Sequence, residues 1–188
     1  MGSDKARLIV AGRPMLAGIA DELAQVGPVV VVGGDSSLIE MIERSARGLV
    51  VRHVDDLHPG DGPLGALVTA LSYPSPFGGD HSHLALVACD LPNLDATTVN
   101  HLFAEHEHTA ADVTVPLVDG VAQWHVAVWR RGARHLLIDR FNKGERSLKH
   151  AASTLAVTYV ITADASVYRD LDSPNDVDEF EIRELHRR

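Results

Sequence analysis

Apolar residues in this chain follow two rhythms, which alternate along its length. Val29–Val30–Val31–Val32 and Leu84–Ala85–Leu86–Val87–Ala88–Cys89 are short unbroken apolar runs, the mark of strands covered by helices on both faces. Elsewhere the spacing is helical. Leu16, Ile19 and Leu23 predict an amphipathic helix over 15–25, opened near Pro14 and ended by Gly27–Pro28. Leu38, Ile42 and Ala46 predict a second helix, capped by Ser36 or Ser37 and stopped by Gly48. Leu49–Val50–Val51 reads as a short strand. Val99, Leu102 and Phe103 predict a third helix, with Asp95 as its N-cap. Strands and helices alternate in this way from residue 15 to about 107, which predicts a three-layer α/β fold.

Beyond that point the order changes. Residues 111–116 alternate, Asp119–Gly120 is a strong two-residue hairpin turn, and 123–129 returns as the partner strand. An antiparallel element in a mixed sheet is therefore expected. Residues 130–141 read as a helix with Leu136, Leu137 and Phe141 facing inward. Residues 155–160 read as a strand, and 175–185 as a helix with Pro174 in its first turn. No repeat, low-complexity segment or linker interrupts the chain, so residues 1–188 predict one domain.

Composition narrows the function. Hydrophobic residues make up 45% and charged residues 23%, ordinary for a globular protein. The net charge of −9 argues against nucleic acid or an anionic membrane as the main partner. No apolar run reaches the roughly 18 residues of a membrane span, and no signal peptide is apparent. Cys89 is the single cysteine, which excludes a disulfide framework and fits the reducing cytoplasm.

Candidate chemistry sits where apolar runs stop. Asp90 ends the 84–89 run and Pro92 forbids its continuation, which puts a carboxylate at the carboxyl end of a strand. A hard carboxylate there suits Mg²⁺ held jointly with phosphates. Capping of the next helix explains it equally well. Lys5 is a point charge suited to a diphosphate oxygen, or a solvated terminal lysine. Residues 55–67 carry three glycines and two prolines ahead of a helix. Gly62 and Gly65 permit close backbone approach, and the helix N-terminus near Leu64 offers N–H groups to an anion. An ordinary loop accounts for the same residues. Lys143 and Arg146 suit a second phosphate or a charged turn. His101, His106 and His108 are too spread around a helix for a metal site and read as a solvated face. Asp170 and Asp172 share a side if that segment is extended, so that either meets Asp90 at a metal or serves as a cap.

Taken together, these pieces resemble the MobA-type molybdenum cofactor guanylyltransferases. The matches, in order, are MGSDKA at 1–6, GRPML at 12–16, Asp55 with GPLGAL ending at 67, CDLP at 89–92, ADVTVP at 111–116, the Gln123 strand, GERSL at 144–148 and DLDSPNDV at 170–177. The resemblance implies a Rossmann-like, GT-A-like α/β/α mixed sheet, mostly parallel with an antiparallel hairpin. It implies transfer of GMP from GTP to molybdopterin with Mg²⁺ and release of diphosphate. It also implies molybdenum-cofactor insertion or maturation proteins as further partners. Carried over residue by residue, Lys5 and Asp90 are the catalytic pair, and Asp55, Gly62, Pro63 and Leu64 line the nucleotide pocket. Asp90 and, less closely matched, Asp172 hold the metal.

One departure stands out. The family opens with a buried strand and a LAGGxSxRMG phosphate loop, and Met1 stands where the methionine of RMG would be. Either the start lies upstream of Met1 or the chain is a short relative. Loss of a central strand is expected to leave its neighbours without ladder partners. The alternatives are a cytidylyltransferase on the same pterin, a non-catalytic binding or adaptor protein, and a transferase for another phosphorylated small molecule.

Overall fold

The computed structural model describes residues 5–45, 49–74, 81–162, 164–171 and 176–177. It opens with a 3₁₀ turn, Lys5–Arg7, and a small hairpin of β1 (Ile9–Val10) and β2 (Arg13–Pro14). Ala11 and Gly12 between them have φ of 50° and 81°. Two successive positive φ values give the primed turn whose twist suits a tight hairpin. Pro14 then caps α1 (Met15–Ala24), its fixed φ ready for the first turn.

The elements that follow are β3 (Val29–Val32), α2 (Ser37–Ser45), β4 (Val51–Val54), α3 (Gly62–Ser72), β5 (His83–Val87) and α4 (Ala96–Glu107). After them come β6 (Val113–Val118), β7 (Val121–Ala122), β8 (Val126–Arg130), α5 (Arg134–Asn142), α6 (Leu148–Ala151) and β9 (Val157–Ile161). The expected Asp119–Gly120 turn joins β6 to β7, with φ of 48° and 80°. Asp95 caps α4 by accepting from the Thr98 N–H at 2.8 Å.

These strands form two main sheets. β3 and β4 make a parallel pair, Val29 opposite Val51 through Val32 opposite Val54. The second sheet is mixed and runs β5-β8-β6, with β9 parallel to β6 and β7 antiparallel to its end. Alternate residues of β8 point to opposite faces, as a strand requires. Ala127 and Trp129 pack with α3, α5 and α6, while Val126 and Val128 pack with α4. Leu16, Ala20, Leu38 and Ile42 of α1 and α2 cover β3 and β4. The result is the expected three-layer mixed α/β arrangement.

Some details differ from the pattern. β5 is half-buried along its whole length because, among the described residues, β8 alone pairs with it. Of the expected 123–129 strand, only Val126 onward is extended, since the Val126 N–H turns back to the Gln123 carbonyl. Leu136 is exposed while Leu137 and Phe141 are buried. A 3₁₀ turn at Arg131–Ala133 precedes α5 and sets its phase. His106 is fully buried, not on a solvated face, whereas His101 and His108 are exposed. Its ring sits on the apolar stripe of α4 and its Nδ1 lies 2.8 Å from Thr114 Oγ1. Ala46, Gly48, Asp172, Pro174 and most of the expected 175–185 helix lie outside the described residues.

Candidate functional site

The carboxyl ends of β3 and β5 meet the 3₁₀ turn Lys5–Arg7. Lys5 Nζ donates to Asp90 Oδ2 at 3.0 Å just beyond β5. Both side chains are partly covered, 31% and 20% exposed. Arg7, two residues on, donates to both carboxylate oxygens of Asp35 at 3.1 and 2.9 Å and to Ser37 Oγ at 2.7 Å, just beyond β3. The Ser37 hydroxyl and backbone N–H, with Arg7 alongside, hold the Asp35 carboxyl below the usual carboxylate range.

The same rim continues on both sides. A Cβ added at Gly33 would meet Asp56 Cβ at 3.3 Å, so the loops after β3 and β4 touch. Asp56 locks its own loop by accepting from the His58 N–H and the Thr69 hydroxyl, both at 2.9 Å. On the other side the Leu171 N–H donates to the Asp90 carbonyl at 3.0 Å. This brings Leu171 to Asp90 by its backbone. Asp170 is exposed, and Asp172 is outside the described residues.

Asp55 is exposed at the start of the loop that Gly62, Pro63 and Leu64 end. Gly62, at φ 70°, opens α3 with open space around its Cα, and Pro63 sits in the first turn. Asp61 occupies the N-cap position without making a side-chain cap. Its Oδ1 accepts instead from Arg146 Nε at 2.8 Å. The first-turn N–H groups of α3 are therefore left for an anion, beside a fixed guanidinium. Arg146 is held there by the Phe141 carbonyl at 3.0 Å and by its stacking over the Phe141 ring. Leu64 is fully buried in the core, so its side chain anchors the helix. Gly65 makes its close approach to its own loop, at His58 and Asp61. Lys143 is exposed and paired with Asp139 at 2.7 Å.

The structure thus brings Lys5 to Asp90 and Arg146 to the start of α3. Arg7, Asp35 and Asp56 escaped the sequence reasoning. Arg7 carried a signal, a second cation two residues from Lys5. Asp35 and Asp56 carried none beyond their places after apolar runs. Among the described residues no group of three metal-ligating side chains converges. A lone hard carboxylate still fits a cation such as Mg²⁺, which keeps waters and shares substrate phosphates, although it does not make an all-protein cage.

The family model of the MobA-like NTP transferase domain matches residues 1–159. The probable molybdenum cofactor guanylyltransferase of Haloferax mediterranei is 24% identical, over 100% of this chain and 87% of its own. Molybdopterin-guanine dinucleotide biosynthesis protein A from Archaeoglobus fulgidus has a TM-score of 0.78 at 18% identity, covering 98% of this chain and 92% of its own. Rv0371c from Mycobacterium tuberculosis, solved in complex with manganese, has a TM-score of 0.70 at 19% identity, covering 96% and 93%.

Proposed function

The chain belongs to the MobA-like NTP transferase family, and from that premise we propose that it transfers GMP from GTP to molybdopterin and releases diphosphate. The Lys5–Asp90 pair at the carboxyl end of β5 carries this reading. In the transfer, a phosphate oxygen of the pterin attacks the α-phosphorus of GTP. The bond to the bridging oxygen breaks, and the diphosphate leaves with the electron pair. Such a reaction needs alignment and charge compensation, not a protein nucleophile. The Lys5 ammonium would neutralise leaving-group oxygens. The open N–H groups of α3, with Arg146 beside them, suit the nucleotide's anionic end.

Asp55, Gly62, Pro63 and the backbone of Leu64 would border the nucleotide. Asp90, with Asp172, would hold Mg²⁺. That ion supplies further neutralisation of the phosphates when bound. The manganese in the M. tuberculosis neighbour supports a divalent cation in this fold.

The test is thermal unfolding with GTP, CTP, ATP and UTP, each with and without Mg²⁺. A nucleotide at 100 times its Kd adds about 2.7 kcal/mol, or about 5–10 °C in Tm for a domain of this size. GTP with Mg²⁺ is expected to give this shift, and Asp90→Asn to remove most of it. A shift with CTP alone would reassign the donor. No shift with any nucleotide would favour a relative without catalysis.

A further inference from the structure

β9 is the outer strand of the mixed sheet. It pairs with β6 on one edge and, among the described residues, with no strand on the other. The Val113 N–H donates to the Ala156 carbonyl, and the Thr162 N–H donates to the Leu117 carbonyl. In a parallel ladder both backbone groups of a residue point to the same side. Thr158 and Val160 are in phase with Ala156 and Thr162, so they too face β6. Val157, Tyr159 and Ile161 therefore aim their N–H and C=O groups outward, along the open edge.

The side chains of these three residues lie on one face, shared with Val113, Val115 and Leu117 of β6. Val157 packs against the cluster under α5 and α6. Tyr159 and Ile161 run on beyond that cover and are 49% and 84% exposed. The strand carries none of the charges or prolines that ordinarily blunt an open edge. β4, which also pairs on one edge only, carries the exposed Arg52.

We propose that this edge is the contact between two copies of the chain, joined antiparallel about a two-fold axis at Tyr159. The strand is complementary to itself. Its outward residues are spaced evenly about Tyr159, so across the axis Tyr159 faces its own copy and Val157 faces Ile161. Each of the three both donates and accepts, about six bonds in all, against roughly 5–15 for an entire interface. The same pairing lays Ile161 beside Val157 of the second copy and sets the two Tyr159 rings side by side. It thus covers the most exposed apolar residues of β9. Charge favours the same place. The chain carries −9 overall, and two copies repel least along a segment that carries no charge. β9 runs parallel to β5, by way of β6 and β8. The two-fold axis therefore sends the two Asp90 rims to opposite ends of the joined sheet, where neither obstructs the other.

The contact is small, so association is expected in the micromolar range. The test is sedimentation velocity of the full chain from about 1 to 500 µM, with residue-resolved amide exchange over the same range. The mass is expected to move from monomer to dimer. Exchange at Val157, Tyr159 and Ile161 is expected to slow with it by about tenfold. Thr158 and Val160, already bonded to β6, should change little. Tyr159→Lys sets two ammonium groups against each other at the axis and should keep the chain monomeric. Ile161→Lys, at the most exposed position of the strand, serves the same end if that variant does not fold. The register has its own readout. Oxidation by diamide should link Tyr159→Cys to its own copy by a disulfide, and Ile161→Cys, which faces Val157, should give none.

The proposal is overturned if the chain stays monomeric at about 500 µM, or if both lysine variants fold and dimerise as the parent does. It is also overturned if the three amides are protected at every concentration, which would mean that the edge is covered within one chain. A dimer that leaves them unprotected would place the contact elsewhere and overturn it equally.

Discussion

β6 and β3 are both strands dominated by valine, yet they end in opposite circumstances. β6 is paired on both edges, by β8 and β7 on one and β9 on the other, and Val113 and Val115 are fully buried. β3 is paired with β4 alone among the described residues, and its second and fourth valines are only half-buried. Apolar composition sets where a strand must lie. Its neighbours decide whether its backbone is satisfied there.

The contrast makes predictions that differ in size. The largest concerns the well-paired half. Trp129, fully buried opposite Val113 and Leu84, is expected to cost about 3–5 kcal/mol when cut to alanine. Urea denaturation measures this directly. Ile42→Ala in α2 removes an equally buried side chain from the other half. It is expected to speed amide exchange at Val29 and Val31 while leaving Val115 nearly unchanged, because the β3–β4 half opens by itself. Equal acceleration at all three would mean that the two halves unfold as one unit.

The next effect in size is a pH dependence rooted in the β6 half. Burial, and then the neighbouring His83 and Arg130, hold His106 down from about 6.5 to about 4. Burial lowers His83 as well. The unfolded chain therefore binds a proton at His106 before the folded chain does. Stability from this group is full above pH 6.5 and falls as pH drops towards 4, by about 3 kcal/mol in all. Denaturation midpoints between pH 7 and pH 4 measure the slope, and His106→Gln is expected to flatten it. The smallest effect is local. Asp95→Ala removes the α4 cap and should cost about 1 kcal/mol in the same denaturation assay.

Features carried by neighbouring residues were legible in the sequence. The Asp119–Gly120 turn, the Asp95 cap and the start of α1 at Pro14 each depend on a few adjacent residues, and each appears as expected. The burial of His106 was available too, since positions 99, 102 and 106 fall on one helical stripe. What the pattern did not carry is long-range pairing. β8 lies between β5 and β6, so the antiparallel partner of the Asp90 strand, Val126–Arg130 opposite His83–Val87, comes from beyond α4 and β6, and no periodicity encodes that choice.

The site divides in the same way. That Asp90 ends a strand followed from Pro92 and the apolar run before it. That Lys5 reaches it across 85 positions came only through resemblance. Arg146 at Asp61, equally distant in sequence, looked like an isolated charged turn until the fold brought the two together. Asp55 drew attention by its position, but its neighbour Asp56 is the one that locks the loop.

The most direct test of the central claim is transfer itself. The chain is mixed with α-phosphate-labelled GTP, Mg²⁺ and molybdopterin, and the label on the pterin is measured beside the diphosphate released. The account predicts labelled GMP on the pterin in equal amount to diphosphate, dependent on the divalent cation and lost in Asp90→Asn. No label on the pterin from GTP, with Asp90 intact and substrates in excess, would contradict it.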